Sequence, residues 1–266
     1  MPCKSGASYT VQPGDTLFTI AQQKLGDGNR WPEIKNPNGF SPDPSKLYPG
    51  EELCLPMAAG GGGLADIVPR GTFDALFPNR SGLYTYEGLV AASHRYAGFC
   101  NEGSLDDRKR EAAAFLANIS HETAGLFYVD EQNPPNSYCD PSKTAYPCAP
   151  GKSYHGRGPL QISWNYNYGA CGAAIGCDLL HQPEQVSNDS AITFVTALWF
   201  WMTPQSPKTS CHEAIRTSGF GATIDIINGG IECGKSPPTP QALDRIRLYQ
   251  DYAGRLGVDP GGNLYC

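Results

Sequence analysis

The chain has 266 residues, a net charge of −6 and 40% hydrophobic residues, enough for one medium domain and a small one. The acidic balance leaves no electrostatic footprint for nucleic acid. No apolar run approaches ~18 residues, so no membrane span is expected. Ten cysteines, an even number and unusual in a cytosolic chain of this size, point to secretion. None forms a close CxxC pair, which argues against zinc. The opening MPCKSGASYT holds no leader-like apolar segment, and Met1 is read as standing where a removed leader was.

In chain order, residues 9–12 (YTVQ) read as a short strand. Pro13-Gly14-Asp15-Thr16 is a turn ending in a helix cap, and 17–24 is a helix. A second short helix at 30–35 and a closing strand at 52–55 complete a βααβ unit. Such a unit is too small for a large core, so a Cys3–Cys54 staple makes physical sense. Residues 57–64 (MAAGGGGL) read as a linker, because four consecutive glycines have no reason to sit in a packed element. The organisation is therefore 1–56 as a first module, 57–64 as linker and 65–266 as a second domain. In that domain helices are expected at 72–76, 84–94, 107–124, 187–202, 210–215 and 240–256, with a small hairpin around 156–164. The pattern is mainly α (α+β). Trp199 and Trp201 fall on an apolar helix and read as core.

The central helix carries the first chemical signal. Ala112, Phe115, Leu116 and Ile119 form its apolar stripe, and Glu122 falls on the same stripe. A carboxylate there is poorly solvated, which favours its neutral, proton-donating form. The helix is expected to stop near Gly125, a good C′ residue. In a continuous helix Glu131 would lie about 13.5 Å along the axis and half a turn away. With the stop, the chain folds back and Glu131 sits in a polar loop, DEQNPPN. A buried acid and an exposed base on either side of a turn suit glycoside hydrolysis; a structural ion-pair role for Glu122 is the alternative. His121-Glu122 resembles the start of a zinc-protease motif, but Gly125 stands where the second His would be.

Longer motifs settle more. FLANISHETAG, YHGRGPLQISWNYNYG (154–169), ALWFWMT (197–203) and IINGGIECG (226–234) together resemble a glycoside hydrolase family 19 chitinase, over residues 67–266. YTVQPGDTLFTIAQQKLGDGNRWPEI and LYPGEELCLP resemble a LysM carbohydrate-binding module. The resemblance implies a lysozyme-like bilobal fold, closer to the short-loop bacterial members, and an inverting mechanism. It implies Glu122 as general acid, Glu131 as general base, with Asp130 as the competing base, and Ser163 as the residue that holds the water. Arg245 points partly inward on the last helix (Ala242, Ile246, Tyr249, Ala253, Leu256), and a buried guanidinium needs carboxylate partners. The family pattern pairs it with Glu122 and Glu232.

The same resemblance places Gln161, Tyr166, Asn167, Lys208, Ile227 and Asn228 in the sugar cleft. His121 is placed with them, and Tyr146 and Trp164 are expected to stack on sugar faces. In the LysM module the sugar is expected between Gly14, Asp15, Thr16, Leu17 and a loop at 41–44 that includes Pro42 and Asp43. Gly14 and Asp15 also build the turn itself. The resemblance pairs Cys139 with Cys148 and Cys233 with Cys266. Cys100, Cys171, Cys177 and Cys211 are extra, with Cys171–Cys177 and Cys100–Cys211 as the candidate pairs and no free thiol expected. Of three N-x-S sequons at Asn79, Asn118 and Asn188, Asn118 is expected to be too buried for glycosylation. The expected partners are chitin and N-acetylglucosamine oligomers, met by a secreted monomer without cofactor or metal. A peptidoglycan hydrolase and an inactive chitin-binding lectin are the competing functions.

Overall fold

The computed structural model describes residues 8–25, 28–37, 42–55 and 63–266. The chain divides into two compact units, Met1–Asp66 and Ile67–Cys266. In the first, β1 (Ser8–Thr10) pairs antiparallel with β2 (Glu52–Cys54), with Tyr9 opposite Leu53. Between them lie α1 (Leu17–Leu25) and a 3-10 turn, Gly28–Glu33, that includes Pro32. This is the expected βααβ order, with the second helix tightened into a 3-10 turn. Val11, Leu17, Ile20, Ala21, Ile34, Leu53 and Leu55 form its core, with Trp31 packed against them. The PGDT turn works as read: Gly14 takes φ +90°, open to glycine at little cost. Asp15 accepts hydrogen bonds from the Gln12 amide and the Tyr9 hydroxyl, each at 2.7 Å. Cys3, residue 41 and most of the expected linker lie outside the described residues. Leu64, the last residue assigned to that linker, instead opens a short helix, α2 (Leu64–Ile67), and is buried.

The second unit is helical: α3 (Arg70–Leu76), α4 (Tyr86–Ser93), α5 (Leu105–Thr123), α6 (Asn165–Ile175), α7 (Gln185–Asn188), α8 (Ser190–Met202), α9 (Cys211–Thr217), α10 (Phe220–Glu232) and α11 (Pro240–Arg255). The hub is α5. It starts on a capping box in which Ser104 and Asp107 satisfy each other's backbone donors. It ends with Ala124 and Gly125 both left-handed, at φ 52° and 77°. Residues 111–120 are buried on every side, not only along a stripe, because α9, α10 and α11 all pack against it. Glu111 is therefore buried as well. It accepts from the Cys100 amide at 2.9 Å and Trp201 Nε1 at 3.0 Å, and pairs with His212 Nδ1 at 2.6 Å. Trp199 and Trp201 are core, as expected.

Three elements depart from the sequence reading. The expected helix over 187–202 is two helices, because Asp189 turns extended and caps α8 by accepting from the Ala191 and Ile192 amides. Helix α6 was not expected from NYNYGACGAAI. Its two glycines permit close approaches that a Cβ would block, at Tyr146 and Leu180 for Gly169 and at the Cys177 carbonyl for Gly172. Helix α10 runs through the Gly229-Gly230 pair, with a kink at Asn228 (φ −146°, ψ 29°).

The disulfides Cys139–Cys148 and Cys233–Cys266 are formed. The other expected pairs, Cys171–Cys177 and Cys100–Cys211, are not: all four cysteines carry free thiols. Cys100, Cys171 and Cys211 are fully buried and pack as small apolar groups, and burial pushes each thiol up from its ordinary range.

Candidate active site

A cleft of about 670 Å³ opens in the second unit. The C-terminal end of α5, the loop after it, the 156–164 hairpin and the first turn of α6 border it. Phe200 from α8 and the kinked part of α10 complete the border. Its walls include Glu122, Glu131, Gln161, Ser163, Trp164, Tyr166, Asn167, Ile227 and Asn228. Asp130, the competing base, lines it too, so ten of the sequence-assigned residues are brought together from four separate stretches.

The two carboxylates are held in opposite ways. Glu122, with its side chain 19% exposed, is ion-paired to Arg245 Nη2. Arg245 is 1% exposed and every one of its donor groups is engaged. Nε and Nη2 reach the two oxygens of Glu232 at 3.0 and 2.9 Å, and Nη1 donates to Asn118 Oδ1 at 3.0 Å. Burial works to raise the pKa of Glu232. The Arg245 hydrogen bonds and charge, with the Asn228 amide at 2.8 Å, outweigh it and hold the group below the usual glutamate range. Burial likewise opposes the charge on Arg245, and the two carboxylates overcome it, raising its pKa. Asn118 lies four residues before Glu122, on the same helix face. Its sequon is fully buried, and its amide works as part of this network.

Among the described residues, Glu131 has no ion pair of this kind. Its Oε1 accepts from the Tyr138 hydroxyl at 2.6 Å and its Oε2 from the Gly156 amide at 3.0 Å. Its own amide donates to the Gly156 carbonyl at 2.8 Å. Burial and the hydrogen bond to Glu131 push the Tyr138 phenol up to about 12, so it stays a donor. A Cβ on residue 156 would fall 2.8 Å from Gln161 Oε1 and 3.4 Å from Glu131 Cβ, so glycine is what lets the hairpin pass this close. Asp130 is engaged elsewhere: its Oδ1 takes Ser187 Oγ at 2.7 Å, Arg157 Nε at 3.2 Å and His155 Nε2 at 3.4 Å.

Ser163 reaches the cleft from the returning arm of the 156–164 turn, where Arg157 and Ile162 form an isolated antiparallel bridge. Its hydroxyl donates to the Gln161 carbonyl at 2.9 Å, leaving its lone pairs to accept. Asn167 Nδ2 is fixed on the Ser163 carbonyl at 2.9 Å. Trp164 stacks parallel on Tyr166 and meets Tyr138 edge-on. Tyr138, Gln161 and Trp164 all hold positive φ, at 53°, 48° and 75°. These are sparsely occupied conformations that concentrate where side chains must be aimed.

Three assignments find other employment. Lys208 is turned onto Asp225, at 2.8 Å from Oδ2. Tyr146 covers Gly169 on α6. His121 pairs through Nδ1 with Asp244 at 2.8 Å, one helix position from the Arg245 network. None of the three is among the cleft-lining residues. Sequence reasoning missed Tyr128, Tyr138, Phe200 and Ile231, which do line it. In the first unit, Leu17 is a core residue, so only its backbone is open to a ligand. Asp43 closes a turn by accepting from Ser45, whose hydrogen bonds lower its pKa. Gly14, Thr16 and Asp43 are exposed, and Pro42 is half-buried.

Comparison with known proteins places both units. Residues 73–266 match the glycoside hydrolase family 19 model, described as chitinase class I, and residues 9–56 match the LysM domain. An endochitinase of Carica papaya is 44% identical over 238 residues, covering 77% of this chain and 97% of that protein. Endochitinase CH25 of Brassica napus is 46% identical, covering 77% and 74%. Among solved structures, a bacterial family 19 chitinase superposes with a TM-score of 0.71 at 50% identity, over 75% of this chain and all of the other. Chitinase C from Streptomyces griseus gives 0.72 at 45% identity, over 78% of this chain and all of the other. With a lysozyme-like helical domain carrying two differently held glutamates in one cleft, and a LysM module ahead of it, the chain belongs to glycoside hydrolase family 19, the chitinases.

Proposed function

We propose that the protein is a secreted, endo-acting chitinase that cleaves β-1,4-linked N-acetylglucosamine with inversion. The observation that carries this is a pair of glutamates facing one cleft, Glu122 tied to a guanidinium that Glu232 already neutralises and Glu131 held by the Tyr138 hydroxyl and the Gly156 amide. In this reading Glu122 is the general acid. It gives its proton to the departing glycosidic oxygen: one guanidinium faces two carboxylates, Glu232 balances the Arg245 charge, and Arg245 orients Glu122. Glu131 is the general base. It removes a proton from a water that attacks the anomeric carbon from the opposite face, a displacement that needs roughly 6.5–9.5 Å between the carboxyl groups. Ser163, whose oxygen keeps free lone pairs, holds that water with Glu131. Tyr138 fixes the carboxylate of Glu131. Gln161, Trp164, Tyr166, Asn167, Ile227 and Asn228 bind the sugar rings and N-acetyl groups. The LysM module, residues 1–56, is tethered to the catalytic domain through a glycine-rich segment that ends before Leu64, and anchors a monomeric enzyme to chitin through Gly14, Asp15, Thr16, Pro42 and Asp43.

Proton NMR of the first products from chitin oligomers tests the stereochemistry: α-anomers are expected, and early β-anomers would remove Glu131 from the role of base. Peptidoglycan offered in parallel tests the polymer. Its cleavage in preference to chitin oligomers would replace this reading with a wall lysin.

A further inference from the structure

The 129–131 segment is tied to the hairpin that carries Ser163, and Asp130 is the knot. Glu131 N–H donates to the Gly156 carbonyl at 2.8 Å, Gly158 N–H to the Val129 carbonyl at 2.9 Å, and Asp130 bridges Arg157 antiparallel. In such an extended pairing, neighbouring side chains leave on opposite faces. Both residues border the cleft, but their partners differ: Glu131 bonds to Tyr138 and Gly156, and Asp130 to Arg157, His155 and Ser187. The anchor behind Asp130 is rigid. Arg157 is 7% exposed, and its Nη1 donates to the Ser153 carbonyl and to the hydroxyl of the fully buried Tyr168 on α6, each at 2.9 Å. Ser187 comes from α7, which packs on α8.

We propose that Asp130 is a positioning residue for the water-activating carboxylate. By pinning its segment to Arg157 and Ser187, it fixes which face Glu131 presents and makes Glu131 and Ser163 one rigid body. The inference rests on the reading of Glu131 as general base. Its consequence is kinetic: an attacking water must be held by both groups at once, and a displacement of about 1 Å at such a pair can cost up to ~100-fold. The Glu131 carboxylate keeps two bonds of its own, so the loss from slackening Asp130 is smaller, on the order of tenfold.

The test is a double-mutant cycle on the full chain with soluble chitin oligomers. D130N keeps the shape but loses the charge that Arg157 requires. It should lower kcat about tenfold with KM within about twofold of wild type. In an E131Q background the same substitution should lower kcat by no more than about twofold, because the base it positions is already gone. If D130N reduces the amount of correctly folded enzyme instead, both backgrounds lose the same factor, and the proposal is overturned. An effect under about twofold in the wild-type background overturns it as well. S187A, which removes the shortest of the three bonds at a half-buried position, is the second variant should D130N fold poorly. It should show the same non-additive pattern at about threefold, and an additive pattern overturns the proposal. The underlying reading fails separately, if E131Q alone stays within a few-fold of wild type or if D130N proves more severe than E131Q.

Discussion

Glu232→Gln isolates the energetic role of the buried network. In the wild type, Arg245 holds both Glu232 oxygens, at 2.9 and 3.0 Å, with each side chain 1% exposed. The substitution removes the charge and places an NH₂ where one oxygen faced a guanidinium donor. Breaking a buried pair in this way costs about 3–5 kcal/mol. Arg245 retains Glu122 as a counter-charge, so the lower end, about 3 kcal/mol, is expected. That is a large fraction of the 5–15 kcal/mol typical of a whole protein. The pH dependence carries the sharper test. The folded-state pKa of Glu232 lies below its ordinary 4.5. Its contribution is therefore fully present above the unfolded-state value and is lost as the pH falls through the lower folded-state value. Urea unfolding followed by tryptophan fluorescence, with three of four tryptophans in the second unit, measures wild type and variant across the range. The difference between them should be flat from about pH 5 to 8 and shrink below about 4.5. A difference under about 1 kcal/mol, or one that does not change in acid, would refute the assignment of that stability to an ion pair.

Three further outcomes are expected. Glu122→Gln, which keeps the shape but has no proton to give, should lose at least ~100-fold in turnover with the fold intact by circular dichroism; near-wild-type activity would make Glu122 purely structural. Thiol labelling of the native protein should reach Cys177, which is partly exposed, and spare Cys100, Cys171 and Cys211 until denaturant is added; no thiol at all under denaturing, non-reducing conditions would mean that the four are bridged. Deleting residues 1–56 should leave hydrolysis of soluble oligomers nearly unchanged and weaken binding and hydrolysis of insoluble chitin, since a tether acts through effective concentration at a surface; equal losses on both substrates would show that the module serves the catalytic domain's own chemistry.

How much of this was legible in the sequence depends on the range of the interaction involved. The α5 helix, its stop at Gly125 and the place of Glu122 follow from spacing within about twenty residues. So does the inward aim of Arg245, which shares a face with Ala242 and Tyr249. Helix α10 is not among the helices expected from the sequence, and its Gly229-Gly230 pair has low helix propensity. The helix is kept through them by packing on α9 and α11, a tertiary override of propensity. The four extra cysteines were misread because an even count implies pairs only when the partners meet. Here Cys100 and Cys211 serve as core atoms beside Glu111.

The site itself divides along the same line. Motif resemblance brought Gln161, Tyr166, Asn167, Ile227 and Asn228 to the cleft, yet Lys208, named with them, is held by Asp225; of the other expected residues, His121 is held by Asp244 and Tyr146 packs on Gly169. A motif fixes where a Cα goes. The contact that claims the side chain comes from elsewhere in the chain. Tyr138 shows the converse. Nothing in DEQNPPNSYCD marks it, since its approach to Glu131 depends on a left-handed backbone at φ 53°, just ahead of the Cys139–Cys148 bridge. The choice between Glu131 and Asp130 is of the same kind. Adjacent carboxylates in one loop are indistinguishable by composition or burial pattern. What separates them is a guanidinium 27 residues on, Arg157, which occupies one of them and leaves the other to neutral donors at the cleft.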